Sequence, residues 1–377
     1  PSTPTSRAWP EEELVSLFAP MRSPMSRRGE TLRIDGQDVE AYCFPNDRRL
    51  RGLRTFARRD LTLAAWRRWS ALDAQIDEDS LQRKLVRYVP EQKCVVRLRA
   101  EWKQADGTTE TRRIAVRCGS SSTCESLELR HRWVAAHVES RHCGIAVPRV
   151  IGCDAQLGLL AVEWLRGETL IEALRSGNES DVMNLTARAL REFHGVSALG
   201  LMELTNRDLI DGTLDALSDL AALCPNLDSP ISQLLRELPD RLDKTAPGPN
   251  VTLHNDLHPG QLTFKRNRVA ILDLERMAMG SEDIDVANMA TQIEMLGCRP
   301  DRDVDSATAT SWRRAFLSSW REASGHILNP VRFHLLAART RLVLARGMMR
   351  HLRPWWMPFA EECVNRAAAD LQRAAAS

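Results

Sequence analysis

The sequence predicts an α+β protein in two lobes, a small antiparallel-sheet N-lobe followed by a mostly helical C-lobe. Three observations predict it. Period-two apolar runs are concentrated between residues 83 and 165, and helical periodicity dominates from residue 166 onward. One β-rich stretch, "VTLHNDLHPGQLTFKRNRVAILDLE" (251–275), interrupts the helices. The chain has 377 residues, enough for two domains, and divides as 1–165 and 166–377.

Pro, Ser and Arg crowd the first stretch, which is expected to be partly irregular. "TLRIDGQDVEAYCF" (Thr31 to Phe44) alternates around Asp35-Gly36 and predicts a hairpin. "LTLAAWRRWSAL" then predicts a basic helix. Strands are expected at Arg83 to Val89, Lys93 to Trp102 and Glu110 to Gly119, the last reached through a turn at Asp106-Gly107. A helix from Cys124 to Arg141 follows, and "AVPRVIGCDAQLGLLAVEWL" supplies two more strands around Asp154 to Gly158. The N-lobe is thus a five-stranded antiparallel sheet with one crossing helix, ending near Leu165.

In the C-lobe, "GETLIEAL" and "DVMNLTARALREFHGV" each predict a helix, and Asp208 to Leu242 predicts one or two. The 251–275 stretch reads as two short strand pairs. Helices follow at Asp283 to Leu296, Thr310 to Ala323, Val331 to His351 and Pro358 to Ala376.

Composition excludes some classes of function. Hydrophobic residues make up 43% and charged residues 27%, as in ordinary globular proteins. A net charge of +2 gives no field for a polyanion, so no nucleic-acid partner is expected. Arginine clusters at Arg48 to Asp60 and Arg339 to Arg353 read as solvated or locally ion-paired faces, with a phosphate-attracting rim as the sharper alternative. Nine scattered cysteines without a CxxC pair, and no signal peptide, fit a reduced cytoplasmic protein. The longest apolar candidate, "LGLLAVEWL", falls far short of the ~20 residues of a membrane span and contains Glu163.

The chemistry concentrates in "TLHNDLHPGQLTF" (Thr252 to Phe264). Asp256 follows an apolar strand, an amide stands five residues on at Gln261, and Asp273 ends "RVAILDLE" twelve residues later. An acid that orients a hydroxyl, with an amide and a carboxylate offering oxygen to a metal, suits phosphoryl transfer. A zinc site on His254 and His258 is the competing reading. Pro259-Gly260 breaks any helix that would align that pair.

"LHNDLHPGQLTF…AILDLE…GSEDIDVANMATQ" resembles the catalytic segment of the aminoglycoside phosphotransferase / choline kinase-like family, which has the protein-kinase-like fold. "GLLAVEWLRGETL" is similar to that family's interlobe hinge, and "ALREFHGV" to its Leu-x-x-Leu-His helix. The resemblance covers residues 83 to 297. It implies that Asp256 is the catalytic acid/base, and that Gln261, Asp273 and Glu275 face Mg²⁺. His254 and Asp285 become scaffold, Asp285 tethering the loop. Glu163, Trp164 and Leu165 address the nucleobase, so residues 1–165 form a nucleotide-binding lobe and 166–377 carry the catalytic and metal-binding loops.

The sequence departs from the pattern in three places. Arg117 stands where the fold has a phosphate-binding lysine, with Glu128 as its expected partner and Glu125 as second choice. "RYVPEQKCVV" has no glycine, and Arg87, Lys93 or Arg97 are candidates to supply the missing charge. Gln261 replaces the usual loop Asn, as in a branch of the family that also carries motifs similar to "FPNDRRLRGL". The expected function is transfer of the γ-phosphate of ATP or GTP, with Mg²⁺, to a hydroxyl of a small polar acceptor. The alternative is a pseudokinase-like nucleotide-binding module that regulates a partner. An aminoglycoside acceptor would need an acidic wall, for which Glu282, Asp283 and Glu294 are the candidates; the Arg339 to Arg353 run suits an anionic or neutral acceptor better.

Overall fold

The structure is a computed structural model that describes residues 32–33, 40–41, 44–70, 75–141, 144–351 and 353–377. It forms two compact units. One holds the described residues up to Ala135 together with Pro148–Leu165, and the other holds Ala136–Val147 with Arg166–Ser377.

The first unit opens with β1 (Leu32–Arg33) paired antiparallel to β2 (Glu40–Ala41). The Asp35-Gly36 turn lies outside the described residues. Two helices follow, α1 (Leu53–Ala57) and α2 (Arg59–Trp69). The main sheet contains β3 (Gln75–Ile76), β4 (Gln82–Val89), β5 (Lys93–Lys103) and β6 (Thr109–Cys118). Helix α3 (Ser121–Arg141) comes next, then β7 (Ile145–Ala146), which belongs to the second unit. Strands β8 (Val150–Asp154) and β9 (Leu159–Glu163) complete the sheet. Its order is β3-β5-β6-β9-β8, with β4 also pairing β5. The sheet therefore has one strand more than the five expected, because Gln75 and Ile76 pair with Lys103 and Trp102.

Alternation along β5 explains the core of this unit. Cys94, Val96, Leu98, Ala100 and Trp102 are buried and pack with Phe56, Leu63 and Trp66. Trp66 and Trp102 meet edge to face at 5.6 Å. The opposite face of β5 carries Lys93, Val95 and Arg97.

The second unit continues with β10 (Glu168–Thr169), α4 (Leu170–Ser176), α5 (Glu179–His194), α6 (Asn206–Leu223) and α7 (Asp228–Lys244). Then come β11 (Asn250–Leu253), β12 (Leu262–Lys265), β13 (Arg268–Ile271) and β14 (Ala278–Ser281). Helices α8 (Asp283–Met295), α9 (Ser306–Ser324), α10 (Pro330–Arg350) and α11 (Trp356–Ala376) follow. The Asp208 to Leu242 region is two helices, since Pro225 supplies no N–H to carry α6 onward.

The 251–275 stretch contains one strand pair rather than two. β12 pairs β13, whereas β11 takes β14, beyond the stretch, as its partner. The β12–β13 hairpin is flanked by two strands that the sequence reading did not foresee, giving the order β10-β12-β13-β7 with β7 parallel to β13. Among the described residues no helix is long and apolar enough to cross a membrane.

The arginine clusters resolve mostly into ion pairs. Arg48 meets Glu91, Arg58 meets Asp60 and Arg59 meets Asp79. In the second cluster Arg341 meets Asp370 at 2.8 Å, and Arg346 and Arg350 share Asp219. Among the described cysteines none is in a disulfide; Cys94, Cys118, Cys124, Cys224 and Cys363 are buried, and Cys153 and Cys298 are partly buried.

Candidate active site

The loop after β11 is held by hydrogen bonds rather than by regular structure. Asp285, in the first turn of α8, turns its fully buried carboxylate toward the loop. Its Oδ2 accepts the His254 N–H at 2.7 Å and its Oδ1 accepts the Asn255 N–H at 2.8 Å. Two adjacent backbone donors, unsatisfied by any strand partner, are thus paired by one acid. His194, the last residue of α5, contacts the same Oδ2 through Nε2 at 3.2 Å. One turn further along α8, Asn288 donates to Leu257 O at 2.8 Å. The tether expected of Asp285 is present; those of His194 and Asn288 were not foreseen.

Asp256 is half-buried and directly follows Asn255, whose φ is 61°. Asparagine tolerates this left-handed conformation better than most residues, which lets the chain turn sharply before the acid. The neighbouring histidines are structural. His254 is fully buried, and its Nε2 lies 2.8 Å from Leu272 O, so that nitrogen carries the proton. His258 caps the following short turn, its Nδ1 accepting from Gly260 N at 3.0 Å. These bonds occupy one ring nitrogen of each histidine, which counts against a zinc site on the pair.

The β12–β13 hairpin brings Gln261 beside Asp273. Leu262 faces Ile271 in the register, and one step outside that pair Leu272 N donates to Gln261 O at 2.9 Å. Leu272 is therefore held on both sides, its N–H by Gln261 and its C=O by His254. Asp273 comes next, with φ 59° and ψ 64°, a conformation that costs a non-glycine residue about 1–2 kcal/mol. Such strain is concentrated at functional sites. Glu275 follows in the short turn Leu274–Arg276 and is half-buried. Gln261 is only 5% exposed, and its Oε1 has no hydrogen-bond partner among the described residues.

In the first unit, the register sets Arg117 opposite Val95 on one side and Leu160 on the other. Ala115 stands likewise between Arg97 and Val162. These residues share one face of the sheet. Val95 and Ala115 are small apolar residues beside Arg117 that the motif reading passed over. Trp164 extends this face and lies under the Arg97 guanidinium at 5.4 Å. Of the three hinge amides, Glu163 N is bonded to Arg149 O and Trp164 N to Arg113 O. The Glu163 carboxylate meets Arg149 at 3.2 Å.

Glu128, foreseen as the Arg117 partner, has a local partner on its own helix. Its carboxylate pairs with Arg132, one helical turn on, at 2.7 Å. Glu125 is exposed on the same helix. The three acids considered as a wall for a polycation are also committed. Glu282 meets His326 at 2.8 Å, and Asp283 meets the buried Arg332 at 3.2 Å. Glu294 is shared by Arg313, Arg341 and Arg366. Burial alone would push its carboxyl up, and these arginines hold it below the usual range. A polar cleft of about 580 Å³ in the second unit, lined by Asp181, Arg188, Asn267 and Glu322 among others, contains none of the site residues.

An antiparallel sheet unit, a helical unit and a loop–hairpin pair of this geometry define a two-lobed kinase-like phosphotransferase. The chain belongs to the phosphotransferase enzyme family, whose profile matches residues 105–326. Among solved structures it is similar to a thermostable mutant of aminoglycoside phosphotransferase APH(4)-Ia, at 15% identity and TM-score 0.56, over 80% of this chain and 98% of that one. The same enzyme in a ternary complex with ADP and hygromycin B aligns at 14% identity and TM-score 0.55, over 79% and 95%. A choline/ethanolamine kinase family protein from Mesorhizobium loti aligns at 15% identity and TM-score 0.52, over 84% and 98%. At these identities the likenesses show the fold. No curated protein sequence matches the chain.

Proposed function

We propose that this phosphotransferase moves the γ-phosphate of ATP or GTP to a hydroxyl of a small polar acceptor, with Asp256 as the residue that addresses that hydroxyl. The observation that carries this reading is the double hold on Leu272, which joins the Asp256 loop, Gln261 and Asp273 into one cross-linked piece. Asp256 orients the acceptor O–H and takes its proton as the oxygen bonds to the γ-phosphorus. The bond from that phosphorus to the β–γ bridging oxygen breaks, and its electron pair leaves with the nucleoside diphosphate. Residues 1–165 supply the nucleotide side of the reaction, through Arg117, Leu165 and the apolar face around Val95 and Ala115. Residues 166–377 supply the catalytic side.

The donor set fits Mg²⁺. Gln261 offers a buried amide oxygen that no protein donor engages among the described residues, and Asp273 offers a carboxylate two residues beyond a strand end. Mg²⁺ favours such oxygens, needs only one or two from the protein and takes the rest from phosphates and water. Glu275 is the third candidate. When bound, the ion neutralises charge on the phosphoryl oxygens.

The commitment of Glu282, Asp283 and Glu294 to His and Arg partners supports a neutral or anionic acceptor over a polycation. The alternative, a nucleotide-binding module without turnover, draws on the glycine-free β4–β5 hairpin; it predicts binding of nucleotide with no transfer to any acceptor. The test is a thermal-shift titration with ATP, GTP and Mg²⁺, followed by phosphate transfer across a panel of hydroxyl acceptors with the wild type and Asp256→Ala. Stabilisation by Mg²⁺–nucleotide, and transfer abolished by Asp256→Ala, supports the proposal. No stabilisation, or transfer that survives Asp256→Ala, refutes it.

A further inference from the structure

Two sequence stretches without a part in the chemistry above, "FPNDRRLRGL" and "RYVPEQKC", are joined in the structure. The β4–β5 hairpin turns through Val89, Pro90, Glu91 and Gln92, with Gln92 N donating to Val89 O at 3.1 Å. Pro at the second position and a positive φ of 59° at the third are the marks of a type II turn. That third position ordinarily belongs to Gly or Asn. Here it is Glu91, whose side chain makes that conformation strained.

Asp47 offsets the strain. Its Oδ2 accepts the Glu91 N–H at 2.8 Å and the Tyr88 hydroxyl at 2.9 Å. Its Oδ1 accepts the N–H groups of Arg49 and Leu50 at 2.8 and 2.9 Å. The Glu91 carboxylate meets Arg48 at 2.9 Å and Arg49 at 3.4 Å. Phe44 packs edge to face on Tyr88 at 4.9 Å. Behind this segment Gly52 is pressed onto the β8–β9 turn, where an added Cβ would come within 2.5 Å of Leu157 O. The upstream segment is thus latched to the hairpin and to the sheet behind it.

The latch uses up the turn's donors. Pro90 has no N–H, Glu91 gives its own to Asp47, and Gln92 gives its own to Val89. A glycine-rich loop offers such amides to phosphates, and this turn does not. Cationic side chains stand in their place. Arg87 faces Val95, which faces Arg117, and Lys93 and Arg97 alternate along β5 on that same face.

We propose that Asp47 is a positioning residue for the nucleotide: it fixes a glycine-free hairpin so that Arg87 and Lys93, rather than turn amides, hold the nucleotide's phosphates. This rests on the nucleotide-binding reading above. Asp47 touches no reacting atom in this scheme and acts through the hairpin. Although burial pulls its carboxyl upward, the donors from Glu91, Leu50, Arg49 and Tyr88 outweigh that and hold it below its ordinary range. The acceptor oxygen they need is thereby kept ionised.

The test compares ADP with adenosine, which lacks phosphates, by calorimetry on the full chain. Asp47→Asn presents an amide N–H₂ where Glu91 and Tyr88 need an acceptor, and Tyr88→Phe removes one bond and leaves the fold intact. Both variants are expected to weaken ADP roughly tenfold or more while adenosine affinity stays close to that of the wild type. Hydrogen exchange at residues 88–93 of the free protein is expected to speed up in both. Lys93→Ala is expected to lower ADP affinity without changing that exchange. Equal losses for ADP and adenosine, or ADP affinity unchanged in Asp47→Asn, overturn the positioning role. A wild type that binds neither ligand overturns the nucleotide-binding reading itself and this inference with it.

Discussion

The imidazole of His254 donates through Nε2 to the carbonyl of Leu272 at 2.8 Å, one residue before Asp273. This bond ties the loop that carries Asp256 to the strand end that carries Asp273, the carboxylate proposed to face Mg²⁺. Replacing His254 by Ala leaves that carbonyl unsatisfied and opens a cavity beside Phe193, whose ring lies 5.7 Å away. The expected cost is about 1–3 kcal/mol of stability. The expected kinetic signature is a fall in kcat larger than the change in nucleotide KM. Denaturant unfolding and steady-state kinetics check the two parts separately.

Asp285→Asn is a sharper probe of the same loop. One amide oxygen remains to accept a single backbone N–H, and the new NH₂ faces another donor. The loss of stability is expected to be about 1–3 kcal/mol, with hydrogen exchange at His254 and Asn255 accelerated before global unfolding. Unchanged exchange at those two amides would contradict the tether as drawn.

Gln261 is the residue on which the Mg²⁺ assignment turns. Gln261→Asn keeps an amide oxygen, one methylene further back, and is expected to retain turnover. Gln261→Ala is expected to raise the Mg²⁺ concentration for half-maximal turnover by roughly 10- to 100-fold. It should leave metal-free nucleotide binding unaltered, which calorimetry in a chelator measures. An Ala variant with wild-type Mg²⁺ dependence removes Gln261 from the metal set.

The helical unit makes a separate prediction about acid. Asp370 is fully buried and binds Arg341 at 2.8 Å, with His334 and Arg373 beside it. Burial would raise its pKa, but His334, Arg341 and Arg373 together hold it down at about 2. A carboxyl depressed in the folded state stabilises fully above its unfolded value, near 3.9. That contribution is lost as the pH falls through the folded value. The α10–α11 pair should therefore lose stability from about pH 4 down toward pH 2. Asp370→Asn should be destabilised by about 1–3 kcal/mol at neutral pH, since the buried Arg341 then has to rely on Glu294, which it shares with Arg313 and Arg366. Urea unfolding at pH 7 and in the acid range tests both.

The long elements were legible because their periodicity is local. β5 alternates over its whole length and α5 has a clear apolar stripe. The strands that escaped, β3, β7, β10 and β14, have two to four residues each, too few for a period. Their pairing is decided by what they meet in the fold. The site divides in the same way. Asp256, Gln261 and Asp273 stand in one stretch with a readable spacing. The partners that hold that stretch lie far off in sequence, as His194 does from Asp285, and leave no local mark. Glu128 shows the converse: its spacing of four to Arg132 on a predicted helix was a readable local pair, and the structure contains it.

The bond between His194 and Asp285 has a reach beyond the loop it steadies. Trp320, deep in α9, sets its ring edge to face against His194 at 5.5 Å. A change of shape at Trp320 therefore arrives at the Asp256 loop through one ring and one carboxylate, without any contact to a ligand. A core substitution at Trp320 is expected to shift turnover while Asp256, Gln261 and Asp273 stay as they are.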